Sequence, residues 1–498
     1  MTAPKPAIAP NTYEYETEAL VKPTGFREYD ARWVLEKELN YQGVQALGLG
    51  LGTLIHELGK EPKIVVGHDF RGYSINVKQA LTVGLMAAGV EVHDIGLALS
   101  PVAYFAQFEL GVPCVAMVTA SHNENGWTGV KMGVEAPLTF GPDEMGRLKE
   151  IVLAGDGVTR PGGGYVAVPG MRERYIADVV EGVSIKRPLK VVAACGNGTA
   201  GAYAPEALKR MGVEVIPLDD ELDHTFPKYN PNPEDMEMLH AMRDAVLAHK
   251  ADVALGFDGD GDRCGVVDDE GEEIFADKIG VMIARDLSAQ HANAQFVVDV
   301  KSTGLFMTDP VLIKNGAKTE YWKTGHSYIK RRNHELGALA AFEKSGHFFF
   351  NAPIGRGYDD GLVAAVALLQ MLDRNPDKSM ADLRRDLPAT YQSPTMSPHC
   401  DDETKYGVIE KVVAEIEAHA AAGGELIGQK IRDVVTVNGV RVTVEDGTWG
   451  LVRASSNKPE LVVVCESPTS EDNMKAMFRE IDGRLAKHPE VGVYNQKI

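Results

Sequence analysis

The strongest constraint on what this chain can fold into is a pattern that occurs three times: strand, helix, strand, helix, strand. The first copy runs from PKIVVGHD (62–69) through a helix at 74–89, the strand VEVHDIG and a helix at 101–110 into the apolar stretch Cys114 to Val118. After the glycine-rich RPGGGY at 160–165, the second reads LKVVAACGNG, a helix through GAYAPEALKRMG, VEVIPLD, a helix and ADVALGFDGD. That helix is expected to open at Asn232 as N-cap with Pro233 in first position, because Asp235 would fall in its first turn and Met238, Leu239, Met242 and Val246 follow helical spacing. The third copy reads AQFVVDVKST, helix, AKTEYWKT, HSYIKRRNHEL and ALAAFEKSG. MAAGVEVHDIG and KRMGVEVIPLD show the repeat most directly, with the same helix-ending glycine and following strand. Alternating strands and helices imply largely parallel sheets, whose ligands gather outside the carboxyl ends of the strands. The third strand of each copy runs into an unusual polar loop: TASHN (119–123), GFDGDGDR (256–263) and EKSGH (343–347).

A different pattern follows. A helix near 360–373 and a proline-bearing connector at 388–398 lead to a helix at 405–421 and to VVTVNGVRVTV, where Asn438-Gly439 between alternating runs signals a hairpin. WGLVRASSNKPELVVVCES reads as another strand pair and 471–486 as a closing helix. The expected fold is therefore α/β with four domains: three related α/β units with mainly parallel mixed sheets, plus a C-terminal α+β domain, around a central cleft. The expected boundaries are 1–22 for a flexible N-terminal arm, then 23–165, 166–293, 294–390 and 391–498.

Charge and cysteine content narrow the function. Lys and Arg number 51 against 71 Asp and Glu, and the net charge of −20 repels nucleic acid and acidic membrane surfaces. No apolar run is long enough to cross a bilayer. An anionic ligand must then be small and held locally. The five cysteines, Cys114, Cys195, Cys264, Cys400 and Cys465, have no close paired spacing and suggest neither a zinc knuckle nor a disulfide framework. The N-terminus lacks the basic start and continuous apolar core of a secretory signal, and a reduced, cytoplasmic setting is expected.

The loops carry the chemistry. Asp258, Asp260 and Asp262 alternate with glycines, so that three carboxylates converge on a hard cation, with Mg²⁺ the best fit. A calcium-loop reading fails because the twelfth position from Asp258 is Asp269 rather than a bidentate Glu. Ser121 at the end of a strand is a nucleophile candidate, although a Ser-His-Asn turn also caps itself; His122 is read as a positioning residue. Glu343 and Ser345 suit two adjacent sugar hydroxyls, with His347 titrating nearby. Arg453, Ser455, Ser456, Asn457 and Lys458 form a compact donor-rich loop suited to phosphate.

Together, FREYDAR (26–32), TASHN, GFDGDGDR, WKTGHS (322–327), EKSGH and RASSNKPELVV (453–463) resemble the α-D-phosphohexomutase family, in its phosphomannomutase/phosphoglucomutase branch. The resemblance covers nearly everything after residue 23. It implies a phosphoserine domain, a metal-binding domain, a sugar-binding domain and a phosphate-binding domain, in chain order. It also implies a phosphoserine at Ser121, one Mg²⁺ held by that phosphate with Asp258, Asp260 and Asp262, and reversible conversion of hexose 6-phosphate and hexose 1-phosphate. Hexose 1,6-bisphosphate would be intermediate and activator. By the same resemblance, Lys131 and Arg263 would stabilise the transferring phosphoryl group, and Arg32 or His347 would move the hydroxyl proton. Tyr29, Lys323, Glu343 and Ser345 would meet the sugar, while Arg453, Ser455, Ser456 and Asn457 would anchor the distal phosphate. The expected partner is a phosphorylated hexose alone, with no nucleic acid and no membrane, and the expected state is a monomer or weak homodimer. Alternatives are a phosphoglucosamine mutase, an aspartyl-nucleophile phosphatase or a non-catalytic sugar-phosphate sensor. The chain departs from the family's habit at Ser455-Ser456-Asn457, at Thr303-Gly304 where a basic residue is common, and at Lys344.

Overall fold

A computed structural model describes residues 3–456 and 458–498; Asn457, expected in the phosphate loop, lies outside the described residues. The first sheet has six strands, in the order Ala31–Val34, Trp127–Gly133, Cys114–Val118, Lys63–His68, Glu91–Leu97 and Gly164–Ala167. Cys114–Val118 runs parallel to Lys63–His68 and antiparallel to Trp127–Gly133. In the second sheet Val253–Phe257 likewise lies between Lys190–Ala194, parallel, and Cys264–Asp268, antiparallel. In the third, Ala340–Phe342 lies between Gln295–Asp299, parallel, and Phe348–Phe350, antiparallel. The returning antiparallel strand is the part of the repeat that sequence periodicity did not reveal. It makes each of the three chemical loops a turn at the carboxyl end of a buried strand, in the same topological position each time. All five residues of Cys114–Val118 and of Val253–Phe257 are buried, so both loops start from fixed bases.

The fourth sheet is antiparallel, in the order Tyr391–Gln392, Leu461–Ser467, Trp449–Ala454, Val440–Val444, Gln429–Val435 and Glu425–Leu426. The strands flanking Asn438-Gly439 pair as the hairpin expected there. The helices Lys405–Ala421 and Glu471–Leu485 cover this sheet, with a core of their own that includes Val412, Ile416, Met477 and Ile481. One continuous core instead joins parts of the first three units, from Val65 and Tyr104 through Tyr175 and Phe257 to Phe296 and Leu362. The last domain meets the third through the Arg441 guanidinium, which lies 3.6 Å from the Trp449 ring centroid and 4.0 Å from that of Tyr321. Buried Glu466 accepts hydrogen bonds from Thr303 Oγ1 at 3.0 Å and Gly304 N at 2.8 Å. The unusual Thr303-Gly304 pair therefore belongs to this junction. No helix among the described residues is long and apolar enough to cross a membrane.

Local expectations needed three corrections. The helix expected from Asn232 begins at Met236, because Asp235 supplies the cap by accepting from Glu237 N and Met238 N, while Asn232 closes the preceding turn. The stretch expected to be a flexible arm includes the helix Tyr13–Thr17, and Leu20 and Val21 are fully buried; Asn40 donates to the Tyr15 and Glu18 carbonyls at 2.8 Å. The glycine-rich helix Tyr41–Glu57 was not foreseen, since glycine lowers helix propensity. Its glycines let it approach the helix Ser74–Ala87 backbone to backbone: a Cβ on Gly84 would lie 2.1 Å from the Gln45 carbonyl oxygen. Gly84→Val should accordingly destabilise the protein by about 2–3 kcal/mol in chemical unfolding, whereas Gly146→Ala, whose Cβ would meet open space, should be neutral or stabilising.

Candidate active site

Three loops from three domains meet around Ser121. Its φ of 51° puts it in the left-handed region, a conformation that costs roughly 1–2 kcal/mol for a residue with a Cβ. Hydrogen bonds hold it there. Ser121 N donates to Thr119 Oγ1 at 2.9 Å, and Arg71 Nη2 donates to the Ser121 and Asn123 carbonyls at 2.8 and 2.7 Å. Arg71 is itself buried and paired with Asp69, which also accepts from Thr119 Oγ1 at 2.8 Å. Arg32 Nη1 donates to the Ala120 carbonyl at 2.6 Å and to Asn123 Oδ1 at 2.8 Å. A Cβ at position 259 would stand 2.6 Å from the Ser121 carbonyl oxygen, so glycine is required where the Asp loop passes.

The resulting hydroxyl is buried and aimed: Ser121 Oγ donates to Asp258 Oδ2 at 3.0 Å. Asp258, Asp260 and Asp262 are all fully buried, with one oxygen of each within 4.8 Å of the others. Burial and then the neighbouring carboxylates Asp260 and Asp262 push the Asp258 carboxyl well above its ordinary range. Lys131 Nζ answers part of this charge, 2.7 Å from Asp260 Oδ2 and paired with Asp262. Burial opposes its positive form, but Asp260 and Asp262 hold its pKa well above the usual lysine value. Asp260 Oδ1 still has no hydrogen-bond partner among the described residues. An uncompensated buried carboxylate oxygen is costly, and three buried carboxylates around one point are the donor set of a hard divalent cation. The residues present therefore fit Mg²⁺.

Against the Asp loop, His347 stands between two acids, its Nδ1 3.2 Å from Glu343 Oε2 and its Nε2 3.4 Å from Asp262 Oδ1. Burial works against its charged form, yet Asp262 and Glu343 raise its pKa to about 9, and despite burial His347 holds Glu343 down at about 2. Ser345 Oγ lies 3.0 Å from His347 Nδ1, and Arg263 Nε lies 3.4 Å from His347 Nε2. His122 Nδ1 is 3.4 Å from Ser121 Oγ, and burial followed by Arg263 keeps its imidazole neutral, as suits a positioning residue. Tyr29 is buried, packs edge-on to His326 at 5.0 Å between centroids and shares a side-chain hydrogen bond with Ser456. Buried Arg453 spends Nη1 on the Ala454 carbonyl at 2.8 Å and leaves Nε without a hydrogen-bond partner among the described residues. Lys323 rests over the Tyr328 ring at 5.4 Å. Lys344 places its ammonium 5.8 Å from the Phe275 ring centroid and donates through its backbone to Asp299.

Sequence reasoning missed the support structure. Asp30 bridges Arg32 Nη2 at 3.2 Å and His326 Nε2 at 3.1 Å, tying FREYDAR to WKTGHS. Both residues lay inside quoted motifs and could have been chosen. Lys301 sits 3.9 Å from Asp299 Oδ2 and helps keep Glu343 ionised. Lys405 pins the phosphate loop from behind, donating to the Ser455 and Lys458 carbonyls at 2.5 and 3.0 Å. Only the strand-end position of Arg71 and Ser100 gave any signal for them; Ser100 N donates to the Asp260 carbonyl at 2.9 Å.

A buried serine facing a carboxylate cluster, with a cation-rich wall and a donor loop across the cleft, defines a phosphoryl-transfer site built for a small polyhydroxylated anion. The chain belongs to the phosphoglucomutase/phosphomannomutase family: alpha/beta/alpha domains I, II and III match over 23–158, 173–271 and 275–391, and the C-terminal domain over 400–484. It is 34% identical to a phosphomannomutase/phosphoglucomutase of Pseudomonas aeruginosa over 91% of this chain and 94% of that one. It is 32% identical to a phosphoglucomutase of Neisseria gonorrhoeae, over 89% and 93%. A crystal structure of a phosphoglucomutase/phosphomannomutase family protein from Burkholderia thailandensis superposes with a TM-score of 0.83 at 30% identity, covering 94% of this chain and 98% of that one.

The Asp loop is also buttressed from outside. Gly361 N donates to the Gly261 carbonyl at 3.1 Å, and Asp360 caps the helix Gly361–Arg374 through Leu362 N and Val363 N while accepting from Tyr175 OH at 2.9 Å. Burial raises the Asp360 carboxyl from 3.8 to about 7. Below 3.8 both folded and unfolded chains carry the proton; between the two values only the folded chain does, so the residue costs stability progressively as pH rises toward 7, by roughly 4 kcal/mol at most. Asp360→Asn should thus gain stability relative to the native chain between pH 4 and 8, measured by chemical unfolding at both ends. An equal difference at both pH values would contradict this.

Proposed function

We propose that the chain is a phosphohexomutase that interconverts hexose 6-phosphate and hexose 1-phosphate, with mannose and glucose phosphates as substrates. The observation that carries the reading is Ser121 Oγ, held 3.0 Å from Asp258 in a cleft that also contains a sugar-clamp loop and a separate donor loop for a second phosphate. In this reading Ser121 rests as a phosphoserine. The sugar's free hydroxyl attacks its phosphorus; the bond from phosphorus to Ser121 Oγ breaks, a bond to the sugar oxygen forms, and the hydroxyl proton is passed on through Arg32 or His347, where His347, charged between Asp262 and Glu343, hands its own proton to one of these acids as it takes the sugar's. The product of this half-reaction is hexose 1,6-bisphosphate. It turns end for end, and its other phosphate returns to Ser121 as the leaving sugar oxygen takes up a proton, so that the enzyme is regenerated.

The residues divide this work by position. Asp258, Asp260 and Asp262 with the phosphoserine oxygens would hold Mg²⁺, which supplies charge neutralisation for the transferring group. Lys131 and Arg263 add fixed positive charge and exclude water. Glu343 and Ser345 hold sugar hydroxyls common to both orientations, with Tyr29 and Lys323 flanking them. Arg453, Ser455, Ser456 and Asn457 anchor whichever phosphate is not reacting, so one loop serves both poses. Residues 23–165, 166–293, 294–390 and 391–498 carry the phosphoserine, metal, sugar and phosphate roles. We further propose a cytoplasmic monomer or weak homodimer; its five free, buried cysteines suit a reducing compartment.

Purified protein given Mg²⁺, mannose 1-phosphate and a trace of bisphosphate should form mannose 6-phosphate. Phosphopeptide mapping should place the label on Ser121, and Ser121→Ala should abolish both label and turnover. Label persisting in Ser121→Ala but lost in Asp258→Asn would instead indicate an aspartyl phosphatase, and failure with every hexose and hexosamine phosphate would refute the mutase reading. Arg71→Met, which frees the Ser121 and Asn123 carbonyls, should lower kcat about 100-fold and leave KM nearly unchanged, since Arg71 holds the loop and does not face the sugar.

A further inference from the structure

Glu28 belongs to the first domain, next to Tyr29, and contacts two other domains at once. Its Oε2 accepts from Tyr328 OH of the third domain at 2.7 Å, and its Oε1 accepts from Tyr406 OH of the fourth. Both tyrosines lead straight back to the cleft. Tyr328 packs edge-on to Tyr29 with ring centroids 5.5 Å apart, and its ring carries the Lys323 ammonium. Tyr406 adjoins Lys405, whose Nζ holds the carbonyls of Ser455 and Lys458 at the two ends of the phosphate loop. The bonds are of a kind that can open and close. Tyr406 is 47% exposed, and Glu28 is only partly buried.

We propose that Glu28, Tyr328 and Tyr406 form a three-domain clasp that positions the phosphate loop over the cleft and retains hexose 1,6-bisphosphate while it turns end for end; this rests on the mutase reading above. The physical need is specific to that reaction. The bisphosphate must release its hold on Ser121 and on the distal loop in order to turn, so ordinary contacts cannot retain it during that interval. A clasp outside the sugar site is indifferent to which end faces Ser121. Closing gives both Glu28 oxygens a phenol donor: burial and then the bond to Glu28 push both phenols above their usual range, and they stay donors. Bisphosphate that escapes leaves an unphosphorylated Ser121 and an inactive enzyme, which outside bisphosphate must recharge.

The test compares the native chain with Tyr406→Phe and Glu28→Ala, both phosphorylated on Ser121 beforehand and mixed with hexose 6-phosphate. Free hexose 1,6-bisphosphate per turnover should rise about tenfold in Tyr406→Phe, the size expected for losing one hydrogen bond to a carboxylate, and at least as much in Glu28→Ala, which loses both. Their activity should decay during assay and return to within about twofold of native when hexose 1,6-bisphosphate is added. Bisphosphate release equal to native in both variants would overturn the clasp. Amide hydrogen exchange of residues 24–30 and 404–408 is read on the same samples and needs no turnover: faster exchange in both variants supports the clasp, and unchanged exchange overturns it. A native chain without mutase activity would refute the mutase reading while the exchange result still judges the clasp. Tyr406→Phe removes one oxygen from a half-exposed side chain and keeps the ring, so it guards against Glu28→Ala failing to fold.

Discussion

Three buried carboxylates forced together create the tension around which the molecule is arranged. Asp258, Asp260 and Asp262 repel one another, and burial raises the cost of each charge. The fold answers with Lys131 from the first domain and with Arg263 and His347 along the rim. The carboxylate oxygens that remain near Ser121, Asp260 Oδ1 among them, are ligands for a divalent cation, and such a cation with Lys131 and Arg263 would supply the positive charge that a transferring phosphoryl group requires. Removing a partner from such a cluster strands a charge, so its members depend on each other.

The architecture delivers those charges by repetition. In each of three units a buried parallel strand ends in a polar turn and the chain returns antiparallel, so the three turns are equivalent in topology and different in chemistry. Small contacts lock them together: Ser100 N to the Asp260 carbonyl, Cys264 N to the Gly346 carbonyl, and Gly361 N to the Gly261 carbonyl. The fourth domain has its own core, packs Trp449, Leu451 and Val464 against Val300 of the third, and adds polar junctions at Arg441, Glu466 and Glu28.

Sequence reasoning found the groups whose chemistry is local. The Asp-Gly alternation at 258–262, the strand-end serine and the donor-rich run after Arg453 each announce themselves within a few residues. It failed where a helix is made possible only by its neighbour, as with the glycines of Tyr41–Glu57 against Gly84. It failed also at Asn232, expected as the N-cap, where Asp235, expected inside the first turn, caps the helix instead by accepting from Glu237 N and Met238 N.

The sequence by itself determined the repeated α/β units and the hairpin-bearing last domain, and singled out Ser121 and the three aspartates as candidates, because periodicity and short-range spacing are properties of consecutive residues. Only the tertiary structure decided which residues hold that site in shape. Asp30 meets His326 across 296 positions, and Tyr406 meets Glu28 across 378. Nothing near either partner in the chain encodes such a pairing; it exists because separately built domains bring their loop ends to one cleft.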